Sequence, residues 1–420
     1  MVMGALDGIR IVDFSRVLAG PWATQLLADL GADVIKVERP GHGDDTRGWG
    51  PPFLRTPDGS PTDHAAYFCC TNRNKRSVAI DFATPDGRQL IRDLVSRSDV
   101  FIENLKVGTL ARYGLDYESL KSVKRDLIYC SITGFGQDGP RASEAGYDLL
   151  IQGMGGLMSV TGLPDGTPGG GPLKVGVALV DVITGLYASS AILAALRHRD
   201  RSGEGQRIDL ALLDCLIAAL ANQSHGYLVS GKVPPRLGNA HPSIVPYESF
   251  PTADGHVLLA VGNDDQFRRF CAVAGLQAFA HDPKFETNAA RVTNRAELVS
   301  AIAEALRRET SRAWVDKLAA VGVPCGPINA LDAVFEDPQV CHRQIARTLP
   351  HAAVGCVASV ANPIRTTAAG PEERMGPPVL AEHTASVLKS VLGLKDEEIA
   401  DLISRNVVQQ WDSSTAEESA

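Results

Sequence analysis

The sequence predicts an α/β fold: a doubly wound, largely parallel sheet, followed by a smaller α+β unit. Three observations predict it. Short apolar runs alternate with helical patterns through the first half of the chain. A cluster of Pro234, Pro235, Gly238, Asn239 and Pro242, starting at Lys232, then breaks that rhythm. Beyond the break come a hairpin pattern and three amphipathic helices rather than more strand–helix pairs. A chain of 420 residues also exceeds one ordinary domain.

Taken in order, Ile9–Phe14 (IRIVDF) reads as a buried strand, Trp22–Leu30 as a helix stopped by Gly31, and Ala32–Glu38 as a second strand. That spacing fits a parallel βαβ unit. Arg39–Trp49 is a glycine-rich loop carrying Arg39, His42, Asp44, Asp45 and Arg47, placed where open α/β sheets bind ligands. Pro51–His64 is expected to be further loop. Ser77–Phe82 is the third strand. Thr84-Pro85-Asp86 opens a helix to about Arg97, since proline suits a first helical turn. Val100–Glu103, a short helix at Thr109–Tyr113, and Leu127–Thr133 continue the alternation. Tyr147–Met158 is expected to be helical, as is Ile208–Gln223. In the second unit, Phe250–Val261 reads as a hairpin turning at Ala253-Asp-Gly255. Helices follow near Asp265–Ala274, Arg295–Glu309 and Ser311–Val321, and Val323–Ile328 is extended. A helix pair precedes Leu402, and Gln409–Ala420 has the composition of a disordered polar tail.

One stretch stands apart. After Val175–Val180 comes a single carboxylate, Asp181, and then a long apolar helix pattern ending at Arg197-His198-Arg199. An aspartate at a helix start is ordinarily an N-cap. A nucleophilic carboxylate is the functional alternative. Val175–Leu196 is long enough to span a membrane. Asp181, Thr184, Ser189 and Ser190 lie within it, and no comparable segment occurs elsewhere, so a buried core helix fits better.

Composition narrows the classes. With 44% hydrophobic and 21% charged residues the chain is that of a soluble globular protein, and its net charge of −8 argues against nucleic acid or an anionic membrane as main partner. Eight cysteines follow neither disulfide-framework nor zinc spacing, so reduced thiols in a cytoplasmic protein and no metal site are expected. The N-terminal run MVMGALDGIRIVDF lacks the form of a secretory signal. No P-loop, HExxH, GxSxG or EF-hand loop occurs. Gly134-Phe-Gly136-Gln-Asp-Gly139 matches GxGxxG, but Pro140 follows at once and no helix opens there, so it reads as a sharp loop rather than a dinucleotide site.

Several runs together resemble the family III CoA-transferases (CaiB/BaiF family). They are LDGIRIVDFSRVLAGP at Leu6–Pro21, LGADVIKVERPGHGDDTRGW at Leu30–Trp49, NRNKRSVAIDF at Asn72–Phe82, SITGFGQDGP at Ser131–Pro140, GYDLLIQGMGGLMSVTG at Gly146–Gly162, VPCGPIN at Val323–Asn329 and LAEHT at Leu380–Thr384. The resemblance implies an interlocked-ring homodimer. Each chain would have a Rossmann-like large domain built from both chain ends and a small middle domain. The corresponding division is residues 1–225 for the large CoA-binding and catalytic part, 226–330 for the small domain, and 331–420 for the return segment with its tail at 409–420. The resemblance also makes Asp181 the catalytic nucleophile, kept ionised by its helix N-terminus. It would form an aspartyl anhydride and then an aspartyl-CoA thioester. CoA contacts carry over to Arg39, Ile80, Asn104, Lys106, Arg112 and Tyr147, with the two arginines suited to phosphates. CoA thioester is then a substrate, and no permanently bound cofactor is implied.

Departures from the family pattern narrow the activity. Racemases of the family use histidine in a Gly-His-Asp run, where this chain has Gly146-Tyr147-Asp148, and tyrosine is a poor base near neutral pH. An acyl-CoA racemase or epimerase therefore ranks below a transferase, and a non-catalytic CoA-binding protein below both. Leu18 stands where formyl-CoA transferase has glutamine, and Ala83 where it has a lysine. The run Arg236–Tyr247 resembles members that move CoA from succinyl-CoA to dicarboxylates. Leu18, Arg47 and His241 are the substrate-pocket candidates: Arg47 for a distal carboxylate, His241 for the acyl group or as a structural histidine.

Overall fold

A computed structural model describes residues 4–412 of the chain. The central sheet has seven strands, and their order follows from hydrophobic runs bounded by turn residues. In order of appearance, Arg10–Phe14, Asp33–Glu38, Lys75–Ile80, Val100–Glu103, Ile128–Thr133 and Gln206–Ala211 are mutually parallel and lie as 3-2-1-4-5-6. That is the strand order of doubly wound nucleotide-binding sheets. Val408–Gln409 adds antiparallel to the edge beside Lys75–Ile80.

Adjacent residues on each strand point to opposite faces, so the strands feed two cores. Val12, Ile35, Val78 and Phe101 pack with helix Pro85–Ser96 and the late helices Thr384–Leu392 and Asp396–Ser404. Ile11, Val34, Ile102 and Cys130 pack on the other face with helices Ala19–Asp29, Leu179–Ser202 and Leu212–Ala219. The proline at the first turn of Pro85–Ser96 is joined by a side-chain cap, Thr84 accepting from the Gly87 N–H. Leu179–Ser202 is long and apolar enough to cross a membrane, yet Val180, Ala188, Ile192, Ala195 and Leu196 belong to the sheet-facing core.

The chain forms two compact units. One runs to Leu157 and continues over Val175–His225 and from Gln339 onward; the other is Met158–Lys174 with Gly226–Pro338. The second unit takes in 158–174, a span expected in the large part. Arg236 donates to the Ser159 carbonyl and pairs with Asp165, and the Gly238 N–H donates to the Gly162 carbonyl. That unit is α+β. Its antiparallel sheet (Tyr247–Pro251, His256–Ala260, Cys325–Pro327) packs Phe250, Val257 and Leu259 against Phe267, Phe270 and Trp314 from its helices.

Local expectations differ in four places. Ile208–Gln223 is not one helix: Gln206–Ala211 is a strand and the helix begins at Leu212. The exposed edge of Ile128–Thr133 supplies a full parallel register from Gln206 to Ala211, which outweighs local helix propensity. The expected loop Pro51–His64 contains a hairpin, Phe53–Arg55 with Pro61–Ala65. Tyr147–Met158 splits into Asp148–Met154 and Leu157–Val160 at Gly155-Gly156, where Gly156 has φ +89°. The polar tail begins later than Gln409, which sits in the last strand; the Trp411 N–H also donates to the Ala381 carbonyl. Residues 413–420 of that expected tail lie outside the described residues.

Candidate active site

Open α/β sheets bind ligands beyond the carboxyl ends of the strands, where the strand order reverses. Here that point lies between the first strand, Arg10–Phe14, and its neighbour Val100–Glu103. The two following loops are clasped together there: Asn104 accepts from the Arg16 N–H at 2.8 Å and donates to the Arg16 carbonyl at 2.7 Å. Beyond the clasp is a cavity of about 240 Å³. Arg16–Ala19 and Asn104–Val107 form one side, Ala145–Asp148 another, and Asp181 lies in its wall.

The backbone at this site is held in an unusual shape. Val17 has φ +69°, a left-handed conformation that a β-branched residue rarely adopts. Both oxygens of Asp44 accept from the Val17 N–H at 3.2 Å, and Asp44 is fixed by the fully buried ammonium of Lys36 at 2.9 Å. Burial pushes Lys36 down, but Asp44, Asp13 and Glu38 outweigh it and hold it above the ordinary lysine value. Asp13 is likewise buried, and Lys75 and Lys36 overcome burial to bring it down to about 2. This charged interior lies behind a larger cleft of about 560 Å³, lined by Lys36, Arg39, His42, Ile80, Phe82 and Thr109 among others.

Asp181 is the third residue of helix Leu179–Ser202, not its N-cap; Ala178 occupies that position and offers no capping side chain. Asp148 does the capping from another helix. Its Oδ1 accepts from the Val180 N–H at 2.8 Å and the Asp181 N–H at 3.3 Å. Asp181 is thereby left free of capping duty, facing the cavity. The expectation that the helix N-terminus keeps it ionised is corrected: burial, and then the charge of Asp148, push it from 3.8 up to about 7. A poised carboxylate of this kind is a functional signature. Burial and the Asp181 charge also push the Tyr67 phenol up to about 12.

The model of CoA-transferase family III matches residues 6–384. The chain belongs to that family. It is 52% identical over 383 residues to the succinate–glutarate CoA-transferase of Agrobacterium fabrum, an alignment covering 91% of this chain and 94% of that protein. It is 42% identical over 408 residues to the human succinyl-CoA:glutarate CoA-transferase, covering 97% and 91%. The crystal structure of a CaiB/BaiF family protein from Brucella suis superposes with a TM-score of 0.81 at 48% identity, covering 93% of this chain and all of that one.

Within this CoA-transferase, Arg39 and Ile80 line the larger cleft, while Asn104, Lys106 and Tyr147 line the cavity that holds Asp181. Arg112 lines neither; it is exposed on the short 3-10 helix Leu110–Tyr113. Leu18 is buried and forms part of the Asp181 cavity. Arg47 does not fit the role expected for it. Its guanidinium makes a bidentate pair with Glu38 at 2.7 and 2.8 Å, donates to the Pro378 carbonyl and lies 3.7 Å over the Phe68 ring. Those contacts leave it a structural cation rather than a receptor for substrate. His241 lies in the second unit, where its Nδ1 accepts from the Ser243 N–H and its ring meets Tyr247 at 5.3 Å.

The sequence reading did not single out Asp148, Tyr67 or Lys36. Lys36 left a signal, a charge amid the apolar strand DVIKVE; Asp148 left one as the last residue of the Gly146-Tyr147-Asp148 run, of which the middle residue alone was weighed; Tyr67 left none. The glycine of the false dinucleotide motif has a different use. A Cβ on Gly134 would lie 2.5 Å from the Gly146 Cα, so the two loops meet backbone to backbone just before Tyr147 and Asp148.

Proposed function

We propose that this enzyme transfers CoA from succinyl-CoA to a dicarboxylate, with glutarate the best-supported acceptor and Asp181 the nucleophile. The observation that carries the reading is the cavity at the strand-order reversal, with one basic carboxylate in its wall. The names of the relatives supply the donor and acceptor class.

In this mechanism an Asp181 oxygen attacks the thioester carbonyl carbon. The C–O bond forms, the C–S bond breaks, and the electron pair leaves on the CoA sulfur. The thiolate then attacks the aspartyl carbonyl, releasing succinate and leaving an aspartyl-CoA thioester. A glutarate oxygen then attacks the aspartyl-CoA carbonyl, expelling the thiolate and forming an aspartyl–glutaryl anhydride; the thiolate attacks the glutaryl carbonyl, giving glutaryl-CoA and restoring the Asp181 carboxylate. Each step exchanges one activated acyl bond for another, the logic of covalent catalysis. The Val180 and Asp181 N–H groups are already taken by Asp148, so the helix favours negative charge on the tetrahedral centres through its N-terminal dipole rather than through free donors. The larger cleft, with Arg39, takes the nucleotide end of CoA.

The assembly belongs to the proposal: a homodimer, whose contact would cover the exposed apolar side chains Leu186, Tyr187 and Leu193 of the nucleophile helix and Leu149, Leu150 and Met154 nearby. A cytoplasmic location is part of the same reading, in keeping with eight free cysteines. The test is to mix the protein with succinyl-CoA, quench with hydroxylamine and map the product by peptide mass. A hydroxamate on Asp181 is expected; an unmodified Asp181 across a panel of acyl-CoAs refutes the reading. Deuterium exchange at the substrate α-carbon would instead mark a racemase.

A further inference from the structure

We propose that Asp148 is a positioning residue for the transfer reaction, which holds the first turn of the nucleophile helix and sets a negative charge against Asp181 until Asp181 is acylated. The inference rests on Asp181 being the nucleophile.

Asp148 lines the cavity, and both of its oxygens are engaged. Oδ1 takes the N–H groups of Val180 and Asp181. Oδ2 accepts from Gln152 Nε2 at 2.6 Å. Gln152 is only 1% exposed, and its own Oε1 accepts from the Val175 N–H at 2.9 Å. With its oxygen so occupied, Gln152 presents only N–H to Asp148. All three bonds to Asp148 come from N–H donors, which suits an acceptor-only, ionised carboxylate. Gln152 also ties the segment entering the nucleophile helix to the same carboxylate.

The other ionisable groups around Asp181 are the Tyr67 phenol and, along the cavity walls, Arg16, Asp45, Lys106, Glu144 and Tyr147. Arg16 is engaged with Asp45 at 3.3 Å. Asp148 is the charge that acts on Asp181. A like charge beside a carboxylate raises the energy of its ionised form.

That repulsion exists in one state of the cycle only. When Asp181 attacks the thioester, its charge passes to the CoA sulfur and the aspartyl oxygen becomes part of a neutral anhydride. The aspartyl-CoA thioester is neutral too. At the anhydride that charge is still in the cavity on the thiolate, so Asp148 raises the free carboxylate chiefly relative to the aspartyl-CoA thioester, from which the charge has left with succinate. It keeps the nucleophile basic and favours occupancy of that thioester. A simple helix cap would do neither.

Asp148→Asn keeps Oδ1 as acceptor for the two backbone N–H groups and loses the charge, but its new NH2 would meet the Gln152 NH2, so Asp148→Asn is compared with Asp148 in a Gln152→Leu background, where the charge is the one difference. The full-length protein is mixed with succinyl-CoA at pH 5.5–8.5 and acid-quenched. Covalent adduct on Asp181 is then measured by mass over time. In the wild type the initial rate rises with pH through an inflection near 7. Relative to Gln152→Leu, Asp148→Asn in that background moves the inflection down by about one pH unit, and the adduct fraction at pH 8 falls several-fold. An unmoved inflection with only a uniform loss of rate would mean that Asp148 is a cap alone, and the proposal fails. Absence of any Asp181 adduct in the wild type overturns the nucleophile assignment instead, so the two failures are distinct.

Discussion

Replacing Asp181 by asparagine removes a charge that folding holds in an unfavourable place, and the effect on stability has a definite sign. The folded protein raises this carboxylate from 3.8 to about 7. Well below pH 3.8 both folded and unfolded chains carry the proton, and the residue costs nothing. From there the penalty grows with pH and is complete above 7. At about 1.4 kcal/mol per pH unit the full shift corresponds to about 4 kcal/mol. Partial exposure to water reduces this to roughly 2 kcal/mol. Asp181→Asn is nearly isosteric and cannot ionise. It should be more stable than the wild type by about 2 kcal/mol at pH 8, and about a third of that gain should remain at pH 5. Equilibrium urea unfolding of both proteins, without substrate, at the two pH values measures the difference. An equal gap at both pH values, or a wild type more stable at pH 8, would refute the account of Asp181 as a raised carboxylate. The same variant should lose transfer activity, so the position trades stability for reactivity.

Three other outcomes follow from named contacts. Gly134→Ala should lower the yield of folded protein and the activity together, because the added Cβ meets the Gly146 backbone at 2.5 Å; soluble expression and circular dichroism check it. Lys36→Met should destabilise the protein by about 3–5 kcal/mol, since Asp44 is left buried without its partner; thermal unfolding reads this out. Arg47→Lys breaks the bidentate pair with Glu38, so it should lower the unfolding midpoint while leaving discrimination between glutarate and a monocarboxylate unchanged in kcat/KM.

The sheet strands and their connecting helices were legible because hydrophobic period and turn residues agree along Arg10–Phe14, Asp33–Glu38, Pro85–Ser96 and Val100–Glu103. Gln206–Ala211 was not, because its strand state depends on a neighbour's open edge rather than on its own pattern. Residues 158–174 were not assigned to the second unit because the Arg236 contacts that hold them there cross about seventy positions of chain. At the site, Asp181 was conspicuous as a lone acid, whereas its raised proton affinity depends on Asp148, thirty-three positions earlier. The loop basic residues misled in one respect: sequence shows that Arg47 is near a ligand face, but not that Glu38 has already taken it.

The strained turn at Val17 has a consequence for redesign. Arg16 belongs to the walls of both the larger cleft and the Asp181 cavity, and the Val17 N–H is tied through Asp44 to Lys36, which faces the cleft. The partition between the two spaces is therefore one rigid piece, and carving at Arg16–Ala19 to admit a bulkier acid would also disturb the larger cleft. Ala142, Glu144, Ala145 and Leu212, which also line the Asp181 cavity, carry no such tie to the buried ions among the described residues. Libraries that vary those positions alone are the ones in which acceptor preference can drift while CoA stays bound.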